Sequence, residues 1–444
     1  MHLVSRASCL ECFFCLIKKK NSKVLINSIS RAKALFSIYF VAAIDNCGYA
    51  MVFVLFPPLL LDPQYGFLTS NPTVAEKLLA MGVLYAAFPI AQLIAAPFIG
   101  NLADELGRKR VFSLTIFGTM VAYFLTGWVL ARKQFFLLFI ARLLTGLFSG
   151  NQGLCNASIA DLSPNAKQRA KNYGILTVVW GISFPLALLL GGFLSDPSLA
   201  KSFSPSLPFY IAGAITFLSL VTIAVFFPET YKKQRKKPGK NQGKKTGIDL
   251  KKGLAKVYKA LKTRETRPFF LLMLIWTLGW GFSITWYGAY VLKTFGVSQE
   301  MATIGLMAQG IGWTIGGSII KPLLLRILPI QAIGQLSYFI TAILLLLAAT
   351  MPTFSSFITV YALSAILGAV SLSSTFNFIS LSAPPNMQGK AMGIAQSMIS
   401  LGFFLVPLLG SLVGALSVNT FYPIAALFLL VGLGIVIKTK KALT

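Results

Sequence analysis

Long apolar runs separated by short polar segments recur along nearly the whole chain. An apolar run of about 18 residues or more can cross a bilayer as an α-helix. The runs do not alternate apolar and polar residues as transmembrane β-strands do. The pattern predicts an all-α membrane protein with twelve transmembrane helices, spans 1 to 12. The predicted spans are 34–61, 78–100, 111–130, 135–160, 173–194, 208–227, 269–292, 302–325, 330–349, 354–381, 391–416 and 421–437.

A long basic segment divides the twelve spans into six and six. The stretch "QRAKNYGI" (168–175) of the first half overlays "MQGKAMGI" (387–394) of the second at an offset of 219 residues. Repeated halves place a binding site near the midplane between them. We therefore predict two pseudo-symmetric six-helix bundles. The expected parts are a basic tail 1–33, a bundle 34–228, a basic linker 229–267, a bundle 268–437 and a tail 438–444.

The charge distribution predicts the orientation. Only 12% of residues are charged and 56% are hydrophobic, yet the net charge is +28. With both termini on one side, 34 of the 40 Lys and Arg residues fall on that side. The positive-inside rule makes it the cytoplasmic side. The charge suits the anionic inner leaflet of the bilayer, and not nucleic acid, because no soluble domain is predicted.

Residues for metal or enzyme chemistry are scarce. The single histidine, His2, lies in the tail, so no metal, cofactor or enzymatic activity is expected. Cys9, Cys12 and Cys15 have iron–sulfur-like spacing but lack the fourth thiolate that a cluster needs. They belong either to an unstructured tail or to a site of reversible acylation.

The segment "GNLADELGRKR", between spans 2 and 3, combines glycine, acid and base. Gly100 permits close helix approach, and Gly107 allows a tight return of the chain. Asp104 can meet the N-terminus of a neighbouring helix, and Arg108 can pair with an acid across the bundle. The alternative is a loop whose cations only hold it on the cytoplasmic side.

This segment resembles the signature loop of the major facilitator superfamily, Gly-x-Leu-Ala-Asp-x-x-Gly-Arg followed by two basic residues. The resemblance covers residues 34 to 437. It implies a transporter in which the cluster latches the two halves together when the cavity faces outward. The second-half counterpart, around "KPLLLRILP", lacks the acid and the glycines. A one-sided latch is therefore expected.

Span 4 and the loop after it carry a second resemblance. "ARLLTGLFSGNQG", with Arg142, fits the family pattern Arg-x-x-x-Gly-x-x-x-Gly. "ASIADLSPNAKQRAKNYG", with Asp161, resembles the drug:proton antiporter branch, and Asn156 is a candidate polar contact in the cavity. Span 5, "GISFPLALLLGG", lacks the Gly-Pro pair of that branch. This departure leaves the direction of transport open.

Two ionisable residues, Asp45 and Arg142, lie deep in the spans. Such residues are costly in a bilayer and usually functional. Their depths differ by roughly 12 Å at about 1.5 Å per residue, so a direct ion pair needs helix tilt or a bridging water. The alternatives are a proton-coupling Asp45 separate from Arg142, and a hydrogen-bonded structural acid.

The second half offers aromatic and amide side chains as candidate substrate contacts. An aromatic wall opposite one carboxylate suits an amphipathic solute, including a cationic one. The alternative is packing or contact with lipid. The candidates are Trp276, Trp280, Tyr287, Asn377 and Gln396.

These patterns together predict a secondary transporter of a small organic solute, working by alternating access. We expect a monomer in the plasma membrane, the bacterial inner membrane, that couples transport to protons and exports its solute. The main alternative is an importer of a metabolite such as an amino acid, nucleoside or siderophore. A more remote alternative is a membrane receptor or scaffold that transports nothing.

Overall fold

The computed structural model describes residues 30–62, 65–68, 72–230, 266–383 and 388–439, and within them all regular structure is helical. Eleven of these helices are long and apolar enough to cross a membrane. A twelfth, α8, consists of three consecutive helical segments. The helices are α1 Ser30–Leu61, α2 Val74–Leu106, α3 Arg108–Ala131, α4 Phe135–Leu162, α5 Ala166–Ser195, α6 Leu207–Phe226, α7 Arg267–Thr285 with Tyr287–Thr294, α8 Gln299–Ile315 with Gly316–Ile320 and Lys321–Leu324, α9 Ile330–Ala348, α10 Phe354–Ser382, α11 Gln388–Leu416 and α12 Phe421–Lys438.

The predicted fold is confirmed, with one local correction. Residues 101–106, expected in a loop, continue α2 as far as Leu106. The chain turns at the single residue Gly107, and α3 begins at Arg108. Leu, Ala and Glu favour helix, so this polar segment lengthens the helix instead of ending it. Cys9, Cys12 and Cys15, and linker residues 231–265, lie outside the described residues.

Exposed apolar side chains form stripes on the outer faces of the helices. On α3, Leu114, Phe117 and Val121 are each about half exposed. Their spacing of three and four residues puts them on one side of the helix. Apolar surface on this scale is unusual for a soluble protein and suits contact with lipid.

Two helix pairs join the halves in a symmetric way. α2 packs along α11, and α5 packs along α8. Within its own half, each pair joins a second helix to a fifth helix. A pseudo-twofold axis between the two six-helix bundles would relate these two pairs to each other.

The contacts between the halves concentrate at one end of the molecule. We name the end that holds residues 101–110, 163–165, 227–230 and 325–329 the basic end, and the other the opposite end. At the opposite end, a Cβ on Gly82 of α2 would lie 2.8 Å from Ser411 Cβ of α11. Gln299 of α8 donates a hydrogen bond to the Gly192 carbonyl of α5, with an Nε2–O distance of 3.1 Å. The opposite end is therefore closed.

The basic end is open. Gly100 lies 18 residues after Gly82 on α2, and Gly393 lies 18 residues before Ser411 on α11. Eighteen residues are five helical turns, so each glycine shares the face that makes contact at the opposite end. A Cβ at either glycine would meet no described atom within 4 Å. The two helices thus separate toward the basic end and border a cleft.

Candidate functional site

Asp45 on α1 is half-buried and lies beside a break in α4. The amide of Asn151 donates to its carboxylate, with an Nδ2–Oδ1 distance of 3.3 Å. Asn151 is wholly buried, and its carbonyl oxygen accepts a hydrogen bond from the hydroxyl of Thr115 on α3. Helices α1, α3 and α4 are therefore tied together at the one deep acid, which stays within the reach of solvent.

The break in α4 positions Asn151. The helix stops at Phe148 and resumes at Asn151, with Ser149 and Gly150 outside helical geometry. Gln92 of α2 donates to the Ser149 carbonyl, with an Nε2–O distance of 3.0 Å, and so satisfies a group that the break releases. This break was not predicted from the sequence, although the small residues Ser149, Gly150 and Gly153 were a signal for it.

Arg142 does not form an ion pair with Asp45. Its side chain is 1% exposed, and its guanidinium carbon lies 5.1 Å from the ring centre of Phe88 and 5.8 Å from that of Phe56. Its Nε and Nη1 atoms have no hydrogen-bond partner among the described residues. The direct pair, one of the alternatives that the sequence left open, is thus absent from this conformation, and aromatic faces stabilise the charge instead.

A buried tyrosine is near both of these charged groups. Tyr123 of α3 is wholly buried and within electrostatic reach of both Asp45 and Arg142. Its hydroxyl occupies the space where Gly48 of α1 would carry a side chain. The hydroxyl has no described hydrogen-bond partner. The first bundle therefore holds an acid, a phenol and a guanidinium in one polar region.

Beside Gly107, three helix ends meet at the basic end. The carboxylate of Glu229, after α6, accepts from the backbone N–H of Arg108 at 2.9 Å and of Lys109 at 3.2 Å. Arg108 Nε donates to Asp161 Oδ2 at the end of α4, at 2.6 Å. We call Gly107, Arg108, Asp161 and Glu229 the latch cluster. The expected pairing of Arg108 with an acid is present.

The latch cluster joins helices of the first half to one another. In this conformation it does not hold the two halves together. The latch between the halves was expected for the outward-facing state. The close approach expected at Gly100 is also absent, because the space beside it is open. The backbone of Asp104 lies in the last turn of α2, and its side chain lies outside the described residues. Asn156 is half-buried, and its carbonyl accepts from Tyr173, with an O–O distance of 2.9 Å.

The aromatic residues expected to contact substrate pack inside the second half. Trp276 and Trp280 are 2% and 3% exposed, and Tyr287 is wholly buried. Trp276 Nε1 donates to the hydroxyl of Ser371 at 2.8 Å, and the Tyr287 hydroxyl donates to the Ala302 carbonyl at 3.1 Å. Trp276 and Tyr287 thus satisfy their side-chain polar atoms within the bundle in this conformation, and contact of the three side chains with a substrate stays a prediction.

Trp313 of α8 is a further aromatic residue beside Trp276 and Trp280 that was not predicted. Its ring centre lies 4.9 Å from that of Trp280 and 5.9 Å from that of Trp276, and the residue is half-buried. Asn377 and Gln396 are also half-buried, and no described residue hydrogen-bonds to their side chains. These three residues therefore remain candidates for contact with a solute.

The fold and the site define a class: a helical membrane protein of two related bundles, with a half-buried acid deep in the first bundle. The family model of the Major Facilitator Superfamily matches residues 38–407. The chain belongs to the Major Facilitator Superfamily.

Two proteins that are similar in sequence are named for drug resistance. The chain is 28% identical over 204 residues to the class H tetracycline resistance protein of Pasteurella multocida, a match that covers 46% of each chain. It is 27% identical over 285 residues to the quinolone resistance protein NorA of Staphylococcus aureus, covering 63% of this chain and 64% of that protein. The matched segments thus span about half to two thirds of these curated relatives.

Solved structures share the fold at low sequence identity. The human organic anion transporter MFSD10 superposes with a TM-score of 0.65 at 19% identity, covering 91% of this chain and 99% of that one. A D-xylose–proton symporter superposes with a TM-score of 0.68 at 15% identity, covering 93% and 98%. These similarities support the two-bundle fold alone.

Proposed function

We propose that this protein is a proton-coupled secondary transporter that moves a small organic solute by alternating access. Its basic end faces the cytoplasm, as the positive-inside rule indicates, and both termini lie there. It resides in the plasma membrane of a bacterial cell as a monomer. The solute leaves the cell in exchange for protons, a direction supported by the resistance proteins that the chain resembles.

Asp45 carries the proposal. It is half-buried, hydrogen-bonded to Asn151, and the sole acid deep in the described spans. A carboxyl that alternates between a closed interior and water can take up a proton from one side and release it to the other. Asn151 holds the carboxylate in place without neutralising its charge, which suits a group that must gain and lose a proton.

The arrangement of the two halves supports alternating access. The opposite end is closed by contacts such as that of Gln299 with Gly192, and the cleft opens at the basic end. This conformation therefore corresponds to the inward-facing state of the proposed cycle. To reach the outward-facing state, the bundles part at the opposite end and close at the basic end.

The test is transport by the Asp45→Asn variant in sealed vesicles with an imposed pH gradient. A labelled solute from a resistance-drug panel serves as the probe, beginning with tetracycline and a quinolone. We expect the variant to lose accumulation against a gradient but to keep solute exchange, which needs no net proton movement. Glu300→Gln, an exposed acid at the opposite end, is the matched control. Wild-type accumulation by Asp45→Asn contradicts the proposal.

An importer coupled to protons is the second candidate. It is favoured by α5, in which Ser183 and Phe184 precede Pro185 and the Gly-Pro pair of the antiporter branch is missing. The two functions predict opposite dependence on the pH gradient. Accumulation in the compartment with the higher proton concentration indicates antiport, and accumulation in the other compartment indicates proton symport.

A further inference from the structure

One side of α8 faces lipid. Ile304, Ile311, Ile319 and Leu323 are each 45 to 54% exposed. Residues two positions apart on an α-helix point in nearly opposite directions, because each residue turns the chain by about 100°. Trp313, two positions after Ile311, therefore faces the interior, and its ring contacts with the second bundle confirm this.

Lys321 lies on the same interior side as Trp313. It follows Ile319 and precedes Leu323 by two positions, so it points away from both exposed residues. In a regular helix, Lys321 would be about 80° away from Trp313, since eight residues turn the chain by about 800°. The intervening π-helical segment Gly316–Ile320 turns less per residue and brings the two side chains toward one face. Such segments recur at functional sites.

This face borders the cleft between α8 and α5. Toward the basic end, the hydroxyl of Thr314 donates a hydrogen bond to the Gly181 carbonyl of α5, with an Oγ1–O distance of 3.0 Å. Beyond it, a Cβ at Gly317 would meet no described atom within 4 Å. On the facing helix, Val178 is 44% exposed. Lys321, half-buried, lies four residues further along α8 than Gly317.

No acid among the described residues forms an ion pair with Lys321. Glu300, at the opposite end, is the single acid among residues 268–444. On the first bundle, Asp45 is bonded to Asn151 and Asp161 is paired with Arg108. Among the described residues, none forms a hydrogen bond or ion pair with the Lys321 side chain. A cation in this position attracts an anion from outside the chain.

We propose that the transported solute is an amphipathic organic anion whose acidic group binds Lys321 and whose ring stacks on Trp313. This inference rests on the proposed transport function and names its substrate class. Eight residues correspond to roughly 12 Å along a helix, and side chains lean toward the N-terminus of their helix. Lys321 therefore reaches back toward Trp313 from the mouth of the cleft. The pair fits a molecule with an apolar ring and a carboxylate a few bonds away.

Binding to the purified, full-length protein tests the proposal without requiring a gradient or a direction. Three probes share one ring system and differ in charge: 1-naphthoate, 1-naphthamide and 1-naphthylmethylamine. We expect naphthoate to bind at least about tenfold more tightly than the other two, a difference of about 1.4 kcal/mol. Lys321→Gln removes this preference and leaves naphthamide binding unchanged. Lys321→Arg restores it, and Arg326→Gln, which removes an exposed cation on the same segment, retains it.

Each other outcome contradicts the proposal. A preference for the amine, no preference, no binding, or a naphthoate preference that survives in Lys321→Gln shows that Lys321 does not select the solute. The same measurement in nanodiscs with and without anionic lipid tests whether the anion at Lys321 is a lipid headgroup. In that case anionic lipid changes the binding of all three probes equally, and Lys321→Gln alters that change. Failure of the transport function is distinguishable, since charge selectivity of binding then persists while gradient-driven accumulation is absent.

Discussion

Gly107 combines an unusual backbone conformation with a close electrostatic contact. Its φ of 94° and ψ of 152° lie in a region that side chains strongly disfavour. The carboxylate of Glu229 occupies the space where a Cβ would lie. A glycine at this position thus permits both the one-residue turn between α2 and α3 and the approach of the acid to the start of α3.

Replacing Gly107 by alanine should destabilise the protein by about 1–3 kcal/mol from backbone strain, in addition to displacing Glu229. Thermal unfolding of the purified protein in detergent measures the loss. The control is Gly100→Ala, at which a Cβ meets no described atom within 4 Å. Because Gly100 lies within α2, this variant should keep stability or raise it by about 0.5–1 kcal/mol. Equal stabilities of the two variants would contradict the role assigned to Gly107.

Some residues of the candidate site could be predicted from the sequence, and others could not. Arg108 and Asp45 stand out because a charge inside or beside an apolar run needs a partner. Glu229 was not predicted, because its partners are backbone amides more than 100 residues away. Trp280 and Trp313 look alike in the sequence, and only packing decides which of them is enclosed and which borders the cleft.

At the scale of the helix, the interruptions within helices were harder to predict from the sequence than the positions of the helices. Hydropathy predicted where most helices lie, since the bilayer fixes their length. It did not predict the interruptions of α4 at Ser149–Gly150, of α7 at Trp286 or of α8 at Gly316–Ile320. An interruption changes which way a few side chains point but hardly changes mean hydropathy. Two of these breaks position Asn151 and Lys321.

The start of α3 should depend on Glu229. Its carboxylate accepts from the first two backbone amides of the helix and opposes the positive end of the helix dipole. Glu229→Gln should lower stability by about 0.3–1 kcal/mol, less at high salt. Chemical denaturation at low and high ionic strength measures the effect. Glu105→Gln, an exposed acid at the end of α2, should cause no loss, and an equal loss would assign the effect to general charge.

At the scale of the whole molecule, α2 and α11 carry matched positions at both ends of one packed face. Gly82 approaches Ser411 at the closed end, and Gly100 and Gly393 lie five turns away at the open end. The sequence predicted two bundles from the repeat and the linker. It could not predict which end is closed, because one sequence encodes both states of an alternating-access protein.

Cysteine pairs at these positions should report opposite states. With the native cysteines replaced, Gly82→Cys with Ser411→Cys should cross-link in the conformation described here and arrest transport until a reductant is added. A Cβ separation of 2.8 Å requires a shift of about 1 Å to reach disulfide geometry. Gly100→Cys with Gly393→Cys should cross-link only after the basic end closes. Efficient cross-linking of both pairs in one molecule would contradict a cycle in which one end opens as the other closes.

Coupled exchange of solute and protons is tested most directly by recording both fluxes in the same vesicles. A solute gradient is imposed without a pH gradient, and the internal pH and the internal solute are followed together. Wild-type protein should move protons against the direction of solute flow, and Asp45→Asn should pass solute in exchange without moving protons. Solute flow through the wild type with no change in pH, or with protons moving in the same direction, would contradict proton antiport.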